Sequence, residues 1–177
     1  MNVVGFAGYS GAGKTTLVER LVMELRHRGL RVSVVKHAHH SFDIDYPGKD
    51  SYRHREAGAF EVVVASSRRL VLQRQFEQET ELSVHHLIAE LNAGVDWVLV
   101  EGYKESDLLK IEIWRASAHR PARYPHDDLV AAIATDSPQA LPQATPRPVL
   151  DLNDAHAVTE WLLDNQHRFH YACPESP

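Results

Sequence analysis

The sequence has little of several patterns that would tie a protein to a membrane, a secreted scaffold or nucleic acid. It holds one cysteine, Cys173, so no disulfide can form within the chain. No apolar run approaches the roughly 20 residues of a membrane-spanning helix, and the first residues carry no signal-peptide pattern. A net charge of -5 excludes a global basic field for nucleic acid. We therefore expect a cytoplasmic protein without nucleic-acid or membrane partners.

The length and the alternation of elements predict one α/β domain. The chain has 177 residues, enough for one well-packed core and short for two. Short apolar strands alternate with helical patterns, which predicts a mostly parallel sheet flanked by helices on both faces. Residues 60–65 and 70–73 have the composition of an antiparallel pair, so we expect a mixed sheet. The predicted domain covers residues 1–168, with a flexible tail at residues 169–177.

A glycine-rich loop follows the first predicted strand, residues 3–7, and precedes a predicted helix at residues 15–28. It matches the phosphate-binding pattern Gly-x4-Gly-Lys-[Ser/Thr] in full. In such loops backbone N–H groups surround phosphate oxygens, the lysine reaches the β- and γ-phosphates, and the hydroxyl binds Mg²⁺. The helix N-terminus also favours anions. The sequence therefore predicts a nucleoside triphosphate site made by Gly8, Tyr9, Ser10, Gly11, Ala12, Gly13, Lys14 and Thr15.

A phosphate loop needs an acidic partner for the metal, carried at the end of another strand. Glu101 ends the predicted strand at residues 96–101 and can hold Mg²⁺ directly or through water. The long loop at residues 37–50 follows the second strand, so it should lie at the ligand-binding edge of the sheet. Its Asp43 or Asp45 could orient water on Mg²⁺. The alternative is a solvated polar loop.

The same loop contains three histidines within four residues, His37, His39 and His40. Histidine clusters can bind transition metals, although no cysteine lies nearby and the spacing is not that of a fixed site. This leaves two other function classes open. One is a metallochaperone GTPase that uses the histidines, and the other is a small-molecule kinase that uses Asp43 or Asp45 as the base for an acceptor hydroxyl.

The base of the nucleotide is indicated less directly, because the Asn-Lys-x-Asp box that reads guanine is absent from the sequence. Asp136 follows the predicted strand at residues 129–135 in a comparable position. A carboxylate can accept two hydrogen bonds, from guanine N1–H and N2–H₂. Asp136 is therefore a candidate guanine-reading residue, and the alternative is a turn residue before Ser137 and Pro138.

Four segments are more specific than the phosphate loop alone. They read Phe-Ala-Gly-Tyr-Ser-Gly-Ala-Gly-Lys-Thr-Thr at residues 6–16, Val-Lys-His-Ala-His-His at residues 35–40, Asp-Ile-Asp-Tyr-Pro-Gly-Lys-Asp-Ser at residues 43–51 and Leu-Val-Glu-Gly-Tyr-Lys at residues 99–104. Together they strongly resemble the MobB family, the GTP-binding proteins of molybdopterin guanine dinucleotide biosynthesis. The resemblance extends over residues 2–165.

The resemblance implies a P-loop NTPase that binds GTP and Mg²⁺, forms a homodimer and hydrolyses GTP weakly. It also implies an accessory role beside a MobA-like guanylyltransferase, which joins GMP to molybdopterin, with molybdopterin itself as a further candidate ligand. Thr16 joins the phosphate-loop residues on this basis. Thr15, Asp45 and Glu101 become the expected metal site, and Lys14 and Asp45 the expected catalytic groups.

Overall fold

A computed structural model describes residues 1–38 and 42–172 of the chain. Its strands and α-helices are β1 (Asn2–Ala7), α1 (Lys14–His27), β2 (Val32–Lys36), α2 (Asp50–Glu56), β3 (Glu61–Ala65), β4 (Leu70–Arg74), α3 (Val84–Ala89), β5 (Trp97–Glu101), β6 (Lys110–Trp114), β7 (Val130–Thr135), β8 (Val149–Asp151) and α4 (Ala155–Asp164). They alternate from β1 to β3, as the sequence predicts, whereas β5 to β8, all within the described residues, follow one another without an α-helix between them. Short 3-10 segments occur at Ala116–Ala118, Pro138–Ala140 and Gln166–Phe169.

Six strands form the main sheet in the order β2-β5-β1-β6-β7-β8. Each pairing described within this sheet is parallel. The antiparallel pair that we expected inside a mixed sheet, β3 with β4, instead forms a two-stranded sheet of its own. The burial explains the difference, because β5, β6 and β7 are buried along their whole length whereas β3 and β4 are largely exposed. Parallel sheets have both faces covered, whereas an antiparallel pair can face solvent.

Helices cover the main sheet on both faces, as predicted. Alternate residues of a strand point to opposite faces, so Val3 and Val4 of β1 enter different cores. The first core joins strand residues to α1 and α4 and includes Val4, Phe6, Leu17, Leu21, Leu99, Ile111, Val158 and Leu162. The second joins the other face to α3 and includes Val3, Val35, Val84, Ile88, Val98 and Val100. The sheet therefore lies between two layers of helices, with α1 and α4 on one face and α3 on the other.

Helix α1 carries the residues that follow the phosphate loop. Its buried leucines, Leu17, Leu21 and Leu25, recur every four residues and form one apolar stripe. They hold the helix against the sheet, so its N-terminus is fixed beside the end of β1. None of the helices within the described residues is long and apolar enough to cross a membrane.

The chain divides into two compact units. One comprises Met1–His37 with Ser83–Pro177 and contains the main sheet, whereas the other, Ala38–Leu82, contains α2, β3 and β4. The expected boundary of the tail also shifts. Phe169, which the sequence analysis assigned to the tail, is 2% exposed and contacts the rings of Trp97 and Trp161. Within the expected tail, residues 173–177 lie outside the described residues.

Candidate nucleotide-binding site

The phosphate loop connects the buried end of β1 to the first turn of α1. At Gly8 a Cβ atom would lie 2.5 Å from the carbonyl oxygen of Ile113, so only glycine lets the loop pass so close to β6. Gly13, directly before α1, has a φ of 102°, in the left-handed region that favours glycine. Both glycines of the sequence pattern are thus required by the backbone path, which fits a loop that presents N–H groups to phosphate.

Lys14 bends back over the loop. Its Nζ donates hydrogen bonds to the carbonyl oxygens of Gly8 and Tyr9, both at 2.9 Å. Burial lowers the pKa of this amine, the carboxylate of Glu101 opposes the shift, and the charges of Lys36 and Lys104 add to it. A lysine held among other cations gains from an anionic ligand, so the loop is electrostatically suited to phosphate.

The two metal-site residues predicted within the main unit, Thr15 and Glu101, are in contact. The Thr15 hydroxyl donates to Glu101 Oε1 at 2.6 Å, and Glu101 is 8% exposed. Glu101 lies at the end of β5, in register with Phe6 of β1 and Lys36 of β2. Lys36 Nζ lies 3.5 Å from the same carboxylate oxygen. A hydroxyl and a carboxylate are oxygen ligands of the kind that Mg²⁺ prefers, so this pair fits the implied ion.

Asp136 lies at the end of β7, as predicted, and contacts residues of its own chain. One carboxylate oxygen accepts from Arg115 Nη1, and the other accepts from the Ser137 hydroxyl at 2.9 Å. Arg115 Nε donates in turn to the carbonyl oxygen of Ala12 at 2.9 Å. A carboxylate has about four lone-pair sites, so Asp136 keeps acceptor capacity for a base. Its role in reading guanine stays a prediction.

Asp45 belongs to the second compact unit. Its Oδ1 accepts from the Tyr46 N–H at 3.0 Å and the Ser51 hydroxyl at 3.2 Å, whereas its shielded Oδ2 has no hydrogen-bond partner within the described residues. Arg55 binds both carboxylate oxygens of Asp43 at 2.8 Å and lowers the pKa of that group to about 2. The metal and catalytic roles of Asp45 stay predictions.

The histidine cluster is covered only in part. His39 and His40 lie outside the described residues, whereas the ring of His37 stacks on that of Tyr103 with centroids 4.6 Å apart. Across residues 1–38 and 42–172, no group of three or more His, Cys, Asp or Glu side chains is placed to hold a metal ion.

Two features of the site were not predicted from the sequence. One is Arg115, and the other is the contact between Lys36 and Glu101. Both cations lie at carboxyl ends of parallel strands, Lys36 as the last residue of β2 and Arg115 directly after β6. That position is the available sequence signal, because the carboxyl ends of such strands form the ligand-binding edge. A third cation, Arg120, lies over the ring of Tyr9 at 5.5 Å.

Known proteins agree with this fold. A family model described as molybdopterin guanine dinucleotide synthesis protein B, MobB, matches residues 3–136. The chain is 39% identical to the molybdopterin-guanine dinucleotide biosynthesis adapter protein of Escherichia coli K12, over 92% of this chain and 91% of the relative. It is 37% identical to the adapter protein of the same name from Haemophilus influenzae, over 96% and 92%.

A solved structure agrees as well. The crystal structure of a MobB protein homolog from Bacillus stearothermophilus matches with a TM-score of 0.69 and 29% identity, over 94% of this chain and 99% of that one. The fold is that of a P-loop NTPase-like protein, as the resemblance implied. The chain belongs to the MobB family.

Proposed function

We propose that this chain is a GTP-binding adapter of molybdopterin guanine dinucleotide biosynthesis, with Mg²⁺ as cofactor and at most slow GTPase activity. The observation that carries the proposal is the contact between Thr15 and Glu101 beside a complete phosphate loop. The relatives from Escherichia coli and Haemophilus influenzae, which match the chain almost end to end, are named as adapter proteins of this biosynthesis. The names of these relatives support a role in this biosynthesis. The phosphate loop with Thr15 and Glu101 supports the binding of a nucleotide.

Each residue of the site has a defined part in nucleotide binding. Backbone N–H groups of residues 8–16 would bind phosphate oxygens, and Lys14 would exchange its carbonyl partners for the β- and γ-phosphates. Thr15 and Glu101 would hold Mg²⁺, which neutralises charge on the phosphates. Arg115 is engaged by Ala12 and Asp136. That arrangement supports slow hydrolysis, because fast GTPases add a free arginine to the phosphates.

A second copy of this chain is part of the proposal. Strands β3 and β4 form a ribbon in which Val63 lies opposite Leu72 and Val64 lies opposite Val71. All four side chains are exposed, Val63 to 57% and Leu72 to 43%. A two-stranded sheet is marginally stable alone, and clustered exposed apolar side chains mark interaction surfaces. We assign the more exposed face, Val63 with Leu72, to contact between copies.

The other partner is a MobA-like guanylyltransferase in the cytoplasm. In this proposal that enzyme transfers GMP to molybdopterin, and the adapter binds and presents the nucleotide. Direct binding of molybdopterin to the adapter is a further element of the proposal. Asp45 enters it as a second acidic group for the metal or for the attacking water.

The proposal is tested by calorimetry of GTP and ATP with Mg²⁺, followed by phosphate release in the same samples. We expect preference for GTP and turnover far below the typical range of roughly 1 to 10³ per second. Lys14→Ala should keep the fold and lose triphosphate affinity by about tenfold or more, since a charge-assisted bond contributes roughly 1.5–3 kcal/mol. Glu101→Gln should lose most of the Mg²⁺ dependence.

The control is Arg26→Ala, which removes one exposed cation at the other end of α1. It should bind GTP as the unmodified chain does. Wild-type affinity in Lys14→Ala would refute the site. Preference for ATP with fast turnover would indicate a small-molecule kinase, and stoichiometric Ni²⁺ binding lost in a double His39→Ala and His40→Ala variant would indicate a metallochaperone.

A further inference from the structure

We propose that Arg115 is a positioning residue that couples recognition of the base to binding of the phosphates. The inference rests on the proposed function, because it assumes a nucleotide on the phosphate loop with Asp136 near its base. One guanidinium contacts both places, the carbonyl of Ala12 within the loop and the carboxylate of Asp136 at the end of β7.

The contacts of Arg115 are those of a fixed side chain. It is 29% exposed, its Nε–H donates to Ala12 O at 2.9 Å, and its Nη1 donates to Asp136 Oδ2. Its Nη2 lies 3.4 Å from the position that a Cβ on Gly13 would take. The guanidinium therefore covers the turn into α1 and leaves little room for any other side chain there.

The contact with Ala12 determines the orientation of a phosphate-binding group. The carbonyl of Ala12 and the N–H of Gly13 belong to one planar, trans peptide, so they point in opposite directions. When Arg115 holds the carbonyl on its own side, the Gly13 N–H must face away from Arg115. That N–H is one of the backbone donors of the loop pattern, so Arg115 fixes a phosphate ligand without touching phosphate.

The contact with Asp136 extends the same constraint to the base. Asp136 is further held by the Ser137 hydroxyl. A planar guanidinium has donors in a rigid fork, which lets one side chain satisfy two acceptors at a fixed angle. Lysine keeps the charge but lacks the fork, so it cannot hold Ala12 and Asp136 in the same relative geometry. Because Arg115 contacts both groups, a movement of Asp136 towards a base would also change the position of the loop at Ala12.

Three ligands distinguish an effect on base recognition from an effect on phosphate binding. They are GTP, ATP and inorganic tripolyphosphate, each with Mg²⁺. Their affinities are measured by calorimetry for the full chain and for Arg115→Lys, Asp136→Asn and the double variant. We expect Arg115→Lys to weaken GTP by about tenfold or more and to reduce the preference for GTP over ATP. Asp136→Asn should reduce that preference and weaken tripolyphosphate binding less than Arg115→Lys does. In the double variant the loss of GTP binding free energy should be smaller than the sum of the losses in the two single variants.

Arg26→Lys serves as the matched control, because it makes the same replacement on an exposed residue of α1. Unfolding curves check that each variant is folded. If Arg115→Lys does not fold, Arg115→Gln, which keeps an N–H donor, replaces it and is interpreted in the same way.

Equal weakening of all three ligands in Arg115→Lys would reduce the residue to a support of the loop and overturn the coupling. Wild-type affinities in that variant would overturn the inference as well. A wild-type chain that binds none of the three ligands overturns the proposed function and this inference together. A wild-type chain that prefers GTP, with the same preference in Arg115→Lys, overturns the inference alone.

Discussion

Single side chains in the candidate site obtain their roles from partners that are distant in the sequence. Thr15 and Glu101 are 86 positions apart and share a 2.6 Å hydrogen bond. Both residues are predictable from the sequence, because a hydroxyl ends the loop pattern and an acid ends a buried strand. Arg115 is not, because no motif marks an arginine that binds a carbonyl of the loop.

Glu112 shows how a buried charge outside the site affects stability. It is 1% exposed and accepts the backbone N–H groups of Arg123 and Tyr124 at 2.7 and 2.8 Å. Burial raises its pKa above the ordinary 4.5, although the two N–H groups oppose the shift. A raised folded-state pKa means that the contribution to stability is fully present below the unfolded pKa and is lost as the pH rises through the folded pKa.

We therefore expect the free energy of unfolding of the wild type to fall, relative to Glu112→Gln, as the pH rises from 4 to 8. The change should be about 1.4 kcal/mol for each unit by which the pKa is raised. Denaturant unfolding of both proteins across this range measures it. Glu19→Gln, at an exposed acid of α1, controls for the lost charge. Parallel pH profiles for the wild type and Glu112→Gln would contradict the prediction.

At the scale of elements, the connection from β1 to α1 depends on glycines for different reasons. Gly8 lies against the backbone of β6, so a Cβ would meet the Ile113 oxygen at 2.5 Å. Gly11 has a φ of 79° and open space around its Cβ position. Gly8 is restricted by packing as well as by its φ of 154°, whereas Gly11 is restricted by the backbone conformation alone.

Alanine should therefore be tolerated better at Gly11 than at Gly8. For Gly11→Ala we expect a cost of about 1–2 kcal/mol, the strain of a left-handed residue. Gly8→Ala should cost about 1–3 kcal/mol more, the usual size of overpacking. Urea unfolding of both variants gives the comparison. Equal losses would mean that the strand ends have room to separate around Gly8.

The secondary structure was predictable wherever the local signal was strong. The predicted strand at residues 129–135 corresponds to β7, Val130–Thr135, and the predicted helix at residues 15–28 corresponds to α1, Lys14–His27. Each boundary of α1 differs by one residue from the predicted range. Assigned helix ends vary by one or two residues, so the sequence indicates the helix better than its end residues.

At the scale of the whole molecule, the ribbon of β3 and β4 predicts a dimer. Val63→Lys with Leu72→Glu makes the exposed face charged and keeps an opposite-charge pair across the ribbon, so the strands should stay paired. We expect the wild type to sediment as a dimer and this double variant as a monomer. Met23→Lys, at an exposed apolar residue of α1, should remain dimeric. A monomeric wild type, or a dimeric double variant, would contradict the assignment.

The prediction of one domain at residues 1–168 concerns how the two compact units act together, and it stays a prediction. The strands of the ribbon, β3 and β4, pair with each other in a sheet distinct from the main sheet. Its sequence resembles that of any short antiparallel pair, because local composition favours strands and turns without specifying which sheet receives them.

The sequence by itself determined the phosphate loop, the succession of strands and helices along the chain, and the family, because these depend on local spacing and on residues that are adjacent in the chain. Only the tertiary structure decided the order of the strands, the contact of Glu101 with Thr15 and Lys36, and the bridge from Arg115 to Ala12 and Asp136. These contacts join residues from separate strand ends. Their geometry follows from the register of the parallel sheet and the packing of its two faces, which local patterns do not encode.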